Sequence, residues 1–249
     1  MKTPEKIYNK ILDFFFPDHC PMCNKINIKQ SGLCADCWSK VKIIKEPACD
    51  ICNYPFEVEV HEGAVCPNCI NKWPLYKKAR SIFVYNDFIS KIIFDFKYRD
   101  KINNAKFFTS LLKSNCQKII NTIDVIIPVP LHKKRLQERK YNQALLIAKE
   151  LAKTTNKICI GDLLIRTINN CPQVGLVGKE RLKNVKNIFT VNESYLNDKN
   201  FERIKDKNVL LIDDVMTTGA TLNNCTKALL KHKVNDVYVL TVARTVVGS

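Results

Sequence analysis

The chain has 249 residues, enough for one or two domains and for a hydrophobic core that needs no disulfide staple. An apolar fraction of 46% and a charged fraction of 26% exclude collagen-like, mucin-like and wholly disordered classes. Basic residues outnumber acidic ones by 40 to 24, and the resulting charge of +16 suits nucleic acid, phosphate-rich ligands or an anionic surface. The alternative source of this charge is an AT-rich genome, which the excess of lysine and asparagine would also indicate.

The N-terminal segment, residues 1–17, predicts an amphipathic helix over 3–16. Its apolar run, Ile11–Phe16, is short, is interrupted by Asp13 and has no small-residue cleavage site after it, so it is not typical of a signal peptide. No stretch approaches the ~18 uncharged apolar residues of a membrane-spanning helix. We expect this helix to dock on the protein's own body, with membrane contact as the alternative, and we expect the chain to lie in the cytoplasm.

Cysteine spacing gives the clearest signal in the first third of the chain. Eight of the 12 cysteines form four Cys-x-x-Cys pairs, and in a cytoplasmic chain each such turn aims two thiolates at one tetrahedral zinc ion. A gap of 10 residues separates the first two pairs and one of 13 the last two, which favours sequential pairing over a cross-braced alternative. Four thiolates fill each shell, so we expect two structural zinc ions. The predicted ligands are Cys20, Cys23, Cys34 and Cys37 for one ion, and Cys49, Cys52, Cys66 and Cys69 for the other.

Strand-like and helix-like segments alternate after the zinc module, which we assign to residues 18–78 of the chain. Continuous apolar strands in such an alternation predict an α/β domain, residues 79–249, with a parallel sheet flanked by helices. Residues 166–187 lack a clear period and predict a long loop. The predicted strands are 80–85, 124–130, 158–165, 209–212 and 234–242, and the predicted helices are 87–97, 102–120, 133–153 and 218–231. Leu136 is assigned to the apolar stripe of the third of these helices.

The run Val209–Thr221 (VLLIDDVMTTGAT) carries the most specific pattern. An apolar strand delivers two adjacent carboxylates, and a tight Thr-Thr-Gly turn then opens a helix. Ligands bind outside the carboxyl ends of strands in such sheets, and a helix N-terminus offers unpaired N–H groups to a phosphate. The two carboxylates are suited to vicinal hydroxyls such as those of a ribose. A helix cap would account for a lone Thr-Gly but not for the whole run.

This run resembles the 5-phosphoribosyl-1-pyrophosphate (PRPP) signature of type I phosphoribosyltransferases. The resemblance implies that Asp213 and Asp214 are the catalytic carboxylates, contacting the ribose hydroxyls directly or through Mg²⁺-bound water. It also implies that Mg²⁺ bridges the pyrophosphate and the ribose and acts as a Lewis acid. The residues that it assigns to the phosphate loop are Met216, Thr217, Thr218, Gly219, Ala220 and Thr221.

A second segment, Pro128–Arg135, leaves a predicted strand on the same side of the sheet. By its position it would face the pyrophosphate, which Lys133, Lys134 and Arg135 could neutralise. A solvated charge run at a helix start is the alternative. His132 alone is weak support for a catalytic base.

Zinc pairs followed by this fold resemble the ComF family of competence-associated proteins. Further stretches agree, at 97–100 (KYRD), 139–144 (RKYNQA) and 166–189. In the family's pattern a glycine commonly follows the residue at Arg139, where this chain has Lys140, and the stretch 97–100 also lacks the usual glycine. The backbone conformation of both turns is therefore left open. The resemblance implies handling of single-stranded DNA during natural transformation. It places the protein on the cytoplasmic side or peripherally at the inner membrane, near the DNA-uptake helicase and the inner-membrane channel.

Three functions follow from these patterns. The first is single-stranded DNA handling, with phosphate attraction from residues 81–249, which hold 28 basic and 15 acidic groups, and base stacking on Tyr98 or Tyr141. The second is an active phosphoribosyltransferase acting from PRPP on a nucleobase or amine, although no base-selecting hood is recognisable. The third is a zinc-module adaptor for the DNA-uptake machinery. Candidate lid or DNA contacts are Arg139, Asn142, Gln173, Arg181 and Asn184.

Overall fold

A computed structural model describes residues 19–26, 32–167, 188–197 and 201–246. Its central sheet has five parallel strands in the spatial order β1-β7-β6-β2-β3. These strands are β1 (Lys78–Val84), β2 (Val125–Pro128), β3 (Ile158–Cys159), β6 (Val209–Met216) and β7 (Val237–Arg244). A separate antiparallel pair joins β4 (Leu164–Arg166) to β5 (Phe189–Val191).

Helices pack against both faces of the sheet, because successive residues of a buried strand point to opposite sides. Leu210 and Ile212 of β6 lie in one hydrophobic cluster, whereas Val209 and Leu211 lie in the other. This confirms the predicted parallel sheet with flanking helices. The helices are α1 (Ala35–Trp38), α2 (Pro67–Asn71), α3 (Asp87–Tyr98), α4 (Asn104–Asn115), α5 (Gln117–Thr122), α6 (Lys133–Arg139), α7 (Gln143–Thr155) and α8 (Ala220–Leu230). A 3₁₀ turn spans Glu193–Tyr195.

The predicted helix over 133–153 is wrong, because two helices occupy this stretch. Lys140 takes a left-handed backbone conformation with φ of +64°, which ends α6, and Asn142 then caps the start of α7. Leu136 is 42% exposed, so it does not belong to an apolar stripe facing the core. The predicted helix over 102–120 is likewise divided, at Cys116.

Two predicted strand boundaries also differ from the observed ones. The strand expected to end at Ile212 continues to Met216, because its last residues stay in parallel register with β7 as far as Arg244. The carboxylates Asp213 and Asp214 therefore belong to the strand itself. The strand expected over 158–165 is two short strands, β3 and β4, that belong to different sheets.

The cysteine-rich segments share the cores of the α/β fold. Cys20 and Cys37 pack in the cluster that contains α3 and α4, and Cys49 and Cys66 pack in the cluster that contains α8. The backbone of 42–44 also runs antiparallel along the outer edge of β1, with the Ile44 N–H donating to Ile82 and the Val84 N–H donating to Lys42. The boundary between the zinc module and the α/β domain, which we place between residues 78 and 79, stays a prediction.

The predicted N-terminal helix and most of the predicted loop, 168–187, lie outside the described residues. Within the described ranges, no helix combines the length and the apolar character needed to cross a bilayer.

Candidate functional site

Two carboxylates lie at the carboxyl end of β6, near the middle of the sheet. Oδ2 of Asp214 is 2.7 Å from Nζ of Lys97, and only 13% and 17% of these side chains are exposed. Oδ1 of Asp213 accepts the backbone N–H of Asp214 at 2.8 Å. The parallel strand β2 ends at the same edge, so the segment after Pro128 leaves the sheet beside the carboxylates.

Asp213 does not ionise as an ordinary aspartate does. Burial raises the pKa of Asp213 to about 7, and the negative charge of Asp214 acts in the same direction. The Asp214 N–H and the positive charges of Lys97 and Arg139 favour the ionised form but only partly offset the burial. Asp213 therefore exchanges its proton near neutral pH, directly beside the Asp214 carboxylate and the Lys97 ammonium group.

A tight loop follows β6 and opens α8, as the sequence pattern predicts for a phosphate cradle. Gly219 has φ of +75°, and a Cβ there would lie 3.2 Å from Cε of Met216 and 3.3 Å from the hydroxyl of Tyr76. Only glycine therefore fits this turn without strain. The Ala220 N–H reaches the Thr218 hydroxyl at 3.4 Å. Exposed side chains on the loop are Thr217, Thr218, Ala220 and Thr221.

Basic side chains from α6 and β4 lie near this edge of the sheet. Lys133 and Arg135 are exposed at the start of α6, where Nδ1 of His132 caps the helix by accepting the Lys134 N–H at 3.2 Å. Burial and the nearby charge of Arg135 lower the pKa of the Arg166 guanidinium, and Asp213 acts in the opposite direction. Residues from α6, β4 and β6 thus share one electrostatic neighbourhood.

The stretch 139–144 holds the C-terminal end of α3 in place. The Tyr141 hydroxyl donates to the Phe96 carbonyl at 2.7 Å, and Nε2 of Gln143 lies 3.4 Å from the Lys97 carbonyl. Nδ2 of Asn142 donates to the Val129 carbonyl at 3.0 Å, while its Oδ1 caps α7. These contacts position Lys97 beside the carboxylates, and they engage the polar atoms of Asn142 within the fold.

Three site residues were not assigned from the sequence: Lys97 as the partner of Asp214, Arg166 near Asp213, and Tyr76 beside Gly219. Each approaches the site from a distant part of the chain, and the only local signal was that Lys97 and Arg166 fall in stretches that carry the resemblance to the ComF family. Of the predicted lid residues, Gln173, Arg181 and Asn184 lie outside the described residues.

The eight predicted ligand cysteines form two groups of four, the first from Cys20 to Cys37 and the second from Cys49 to Cys69. In each group the four sulfurs lie no more than 4.8 Å from one another. Cys23 and Cys34 sulfurs are 3.6 Å apart, and so are those of Cys52 and Cys66. Zinc–sulfur bonds of about 2.3 Å in a tetrahedron place sulfurs about 3.8 Å apart, so the four-thiolate donor sets fit zinc. The sequential grouping is the arrangement present in the fold.

The second cysteine group lies behind the phosphate loop. The guanidinium of Arg244, at the end of β7, donates to the Cys52 carbonyl and lies 5.0 Å from the centre of the Tyr54 ring. The Leu75 N–H donates to Oδ1 of Asn223 in α8 at 2.6 Å. The zinc module is therefore in direct contact with the end of β7 and the first turn of α8.

The described cysteines outside these groups are not arranged as a reactive site. Cys116 and Cys225 are buried, and burial raises the pKa of both thiols. Cys159 is partly buried, and its pKa is raised to about 11 for the same reason. Protonated thiols of this kind are poor nucleophiles.

Comparison with known proteins agrees with both parts of the chain. The double zinc ribbon domain family matches residues 11–74, and the phosphoribosyl transferase domain family matches residues 142–246. The chain is 30% identical over 236 residues to Competence protein F of Haemophilus influenzae, covering 92% of this chain and 98% of that protein. It is 30% identical over 221 residues to Competence protein ComFC of Bacillus subtilis, covering 86% and 84%.

Two further similarities are more distant. The chain is 24% identical over 235 residues to DNA utilization protein YhgH of Shigella flexneri, covering 92% of this chain and 98% of that protein. The solved allosteric regulatory enzyme of purine biosynthesis is similar with a TM-score of 0.38 and 15% identity, over 59% of this chain and 29% of that one. With a double zinc ribbon ahead of a phosphoribosyltransferase-type fold, and with full-length similarity to Competence protein F, the chain belongs to the ComF family.

Proposed function

We propose that this protein handles single-stranded DNA during natural transformation and binds Mg²⁺·PRPP at the carboxyl end of β6. One observation carries the proposal: the carboxylate pair and the phosphate loop lie at one edge of the sheet, beside the cationic Lys97, Arg135 and Arg166. The relatives are named for competence and for DNA utilization, which supports the DNA part.

The residues of this edge fit a phosphoribosyl ligand. Residues Thr217–Thr221 would offer backbone N–H groups and exposed threonine hydroxyls to a phosphate monoester, and Gly219 allows the tight turn that presents them. Asp213 and Asp214 would accept hydrogen bonds from ribose hydroxyls, and Arg135 and Arg166 would bind the pyrophosphate. Mg²⁺, when bound, would supply Lewis-acid charge relief to the pyrophosphate.

Charge supports the nucleic-acid part. The excess of basic residues is concentrated in residues 81–249, which contain 28 basic and 15 acidic residues. Phosphate contacts by such groups release counterions, so affinity for a strand falls as salt is added. We place this function on the cytoplasmic side, peripheral to the inner membrane and close to the DNA-uptake helicase and channel. The eight thiolate ligands suit a reducing compartment.

The test is fluorescence anisotropy of a labelled single strand at several salt concentrations, with and without Mg²⁺·PRPP. We expect salt-sensitive binding that Mg²⁺·PRPP alters. In calorimetry, the Asp213→Asn/Asp214→Asn variant should bind Mg²⁺·PRPP at least about tenfold more weakly, because two charge-assisted hydrogen-bond acceptors are lost. Asp87→Asn, at an exposed position in the first turn of α3, is the matched control and should bind as the unaltered protein does.

Three results would contradict the proposal in distinguishable ways. Absent or salt-insensitive strand binding would remove the DNA role. Equal affinity of the unaltered and the Asp213/Asp214 variant proteins for Mg²⁺·PRPP would remove the assigned ligand site. Release of pyrophosphate in the presence of a nucleobase or amine, without strand binding, would favour an active phosphoribosyltransferase instead.

A further inference from the structure

Two aromatic side chains, Phe94 and Tyr98, lie next to each other on the outward face of α3; we name them the aromatic platform. Their ring centroids are 4.9 Å apart and their planes are inclined by 42°. They remain 50% and 49% exposed, although the opposite face of α3 supplies Ile89 and Phe96 to the core. Two exposed aromatic rings side by side on the outward face of a helix form a candidate interaction surface.

An arginine lies over each ring of the aromatic platform. Cζ of Arg99 is 5.9 Å from the centre of the Phe94 ring, and Cζ of Arg139 is 5.2 Å from that of Tyr98. Nη2 of Arg139 lies 3.3 Å from the Tyr98 hydroxyl, while its Nε is buried without a hydrogen-bond partner in the described part of the chain. No described carboxylate forms an ion pair with Arg139, so its charge can serve an anionic ligand.

The platform and both arginines line a cavity of about 670 Å³. This volume is in the range of ligand sites, which is about 300–1,000 Å³. The cavity also meets Met22, in the turn of the first cysteine group. Its lining has one acidic residue, Asp95, which already pairs with Arg99 and Lys101. The basic residues in the lining are Lys91, Lys97, Arg99 and Arg139.

The cavity adjoins the site on β6 through a single side chain. Lys97 lines the cavity, and its Nζ is 2.7 Å from Asp214. The charge of Arg139 also acts on Asp213. A ligand in the cavity would therefore be held by residues that also set the electrostatics of the carboxylate pair.

Flat rings, guanidinium groups and an excess of positive charge together fit one kind of ligand. Bases of a single strand stack on aromatic rings and arginine planes, and their phosphates require cations close by. A lipid chain would need an aliphatic wall instead. We propose that the aromatic platform stacks bases of single-stranded DNA, with Arg99 and Arg139 holding the adjacent phosphates. This inference rests on the proposed function and names the surface that performs it.

The experiment compares two labelled strands of equal length by fluorescence anisotropy, oligo(dT) and an abasic strand that carries the same phosphates without bases. The unaltered protein should bind oligo(dT) at least about fivefold more tightly than the abasic strand. This ratio corresponds to the lower end of the free energy expected for one stacked base. In Phe94→Ala/Tyr98→Ala this preference should disappear, while the dependence of affinity on salt stays the same. Arg99→Ala should instead reduce the salt slope by about 1.

Two variants separate stacking from general effects. Trp73→Ala removes an aromatic residue that is 60% exposed outside the cavity, and it should keep the full preference. Tyr98→Phe keeps the ring and loses only the hydroxyl contact with Arg139, so it should also keep the preference. If the double variant, with normal zinc content and circular dichroism, retains the preference for bases, the platform proposal is overturned and DNA binding stands. An unaltered protein that binds neither strand would overturn both the platform and the proposed function.

Discussion

Lys140 and Asp100 both occupy the left-handed region of the backbone, with φ of +64° and +53°, and their side chains form an ion pair of 2.8 Å. Neither turn has a glycine at its left-handed position. Both turns are thus formed without the residue that adopts this conformation most readily. The pair is largely exposed, so it offsets only part of a backbone penalty of roughly 1–2 kcal/mol per residue.

Two substitutions at Lys140 separate the backbone penalty from the ion pair. Lys140→Gly and Lys140→Ala both remove the pair, but only glycine relieves the left-handed conformation. We expect the glycine variant to be more stable than the alanine variant by about 1 kcal/mol in denaturant unfolding. An alanine variant of equal or greater stability would show that the backbone here is unstrained.

The ion pair between Lys97 and Asp214 should contribute more than an exposed pair. Lys97→Met leaves Asp214 without its cation beside a second carboxylate, whereas Lys97→Met/Asp214→Asn removes both charges. A double-mutant cycle in thermal unfolding should give a coupling energy of about 2 kcal/mol. The matched cycle at Lys140 and Asp100, whose side chains are 73% and 60% exposed, should give less than about 1 kcal/mol. Equal coupling in the two cycles would contradict the assignment.

Asp213 should make stability depend on pH. Its pKa is raised from 3.8 to about 7 in the fold, so the native state keeps a proton that the unfolded chain has lost in this window. Stability therefore falls as pH rises from about 4 to about 7 and then levels off. The Asp213→Asn variant has no carboxyl to lose this proton. Its free energy of unfolding should therefore exceed that of the unaltered protein by about 1–2 kcal/mol near pH 8, which corresponds to several degrees in Tm. The difference should shrink toward pH 5; a pH-independent difference would rule out the raised pKa.

Zinc should leave the two cysteine groups at different rates. Every cysteine of the second group is buried, whereas Cys23 is exposed and Cys34 is partly exposed in the first. A chromogenic chelator should therefore release two zinc ions in two phases, since access limits ligand exchange. Cys23→Ser should abolish the fast phase and leave the slow one intact. Release in one phase, or loss of the slow phase in this variant, would contradict the assignment.

Much of this architecture could be predicted from local patterns. The cysteine pairs, the alternation of strands and helices and the run around Asp213 are short-range signals with a direct physical cause. The break at Lys140 gave no such signal, because apolar residues continue at helical spacing across it and lysine has no preference for left-handed backbone. Leu136 fitted the period, yet α6 buries none of its residues.

The rest depended on tertiary contacts. The end of β6 at Met216 is set by register with β7, which no local pattern encodes. Lys97 lies at the end of α3, more than a hundred residues before Asp214, and reaches it only because Tyr141 and Gln143 fix that helix end. The residues that complete the site were therefore the ones brought in by packing.

The strap at 42–44 along the edge of β1 links metal supply to solubility. It lies between the two four-cysteine groups, and its backbone covers the outer strand of the sheet. Without zinc, this three-residue segment would have too few contacts of its own to stay on the edge of the sheet. The uncovered strand would then present unpaired N–H and carbonyl groups to other chains. Zinc starvation of a cell making this protein would accordingly show first as intermolecular strand pairing and insoluble protein.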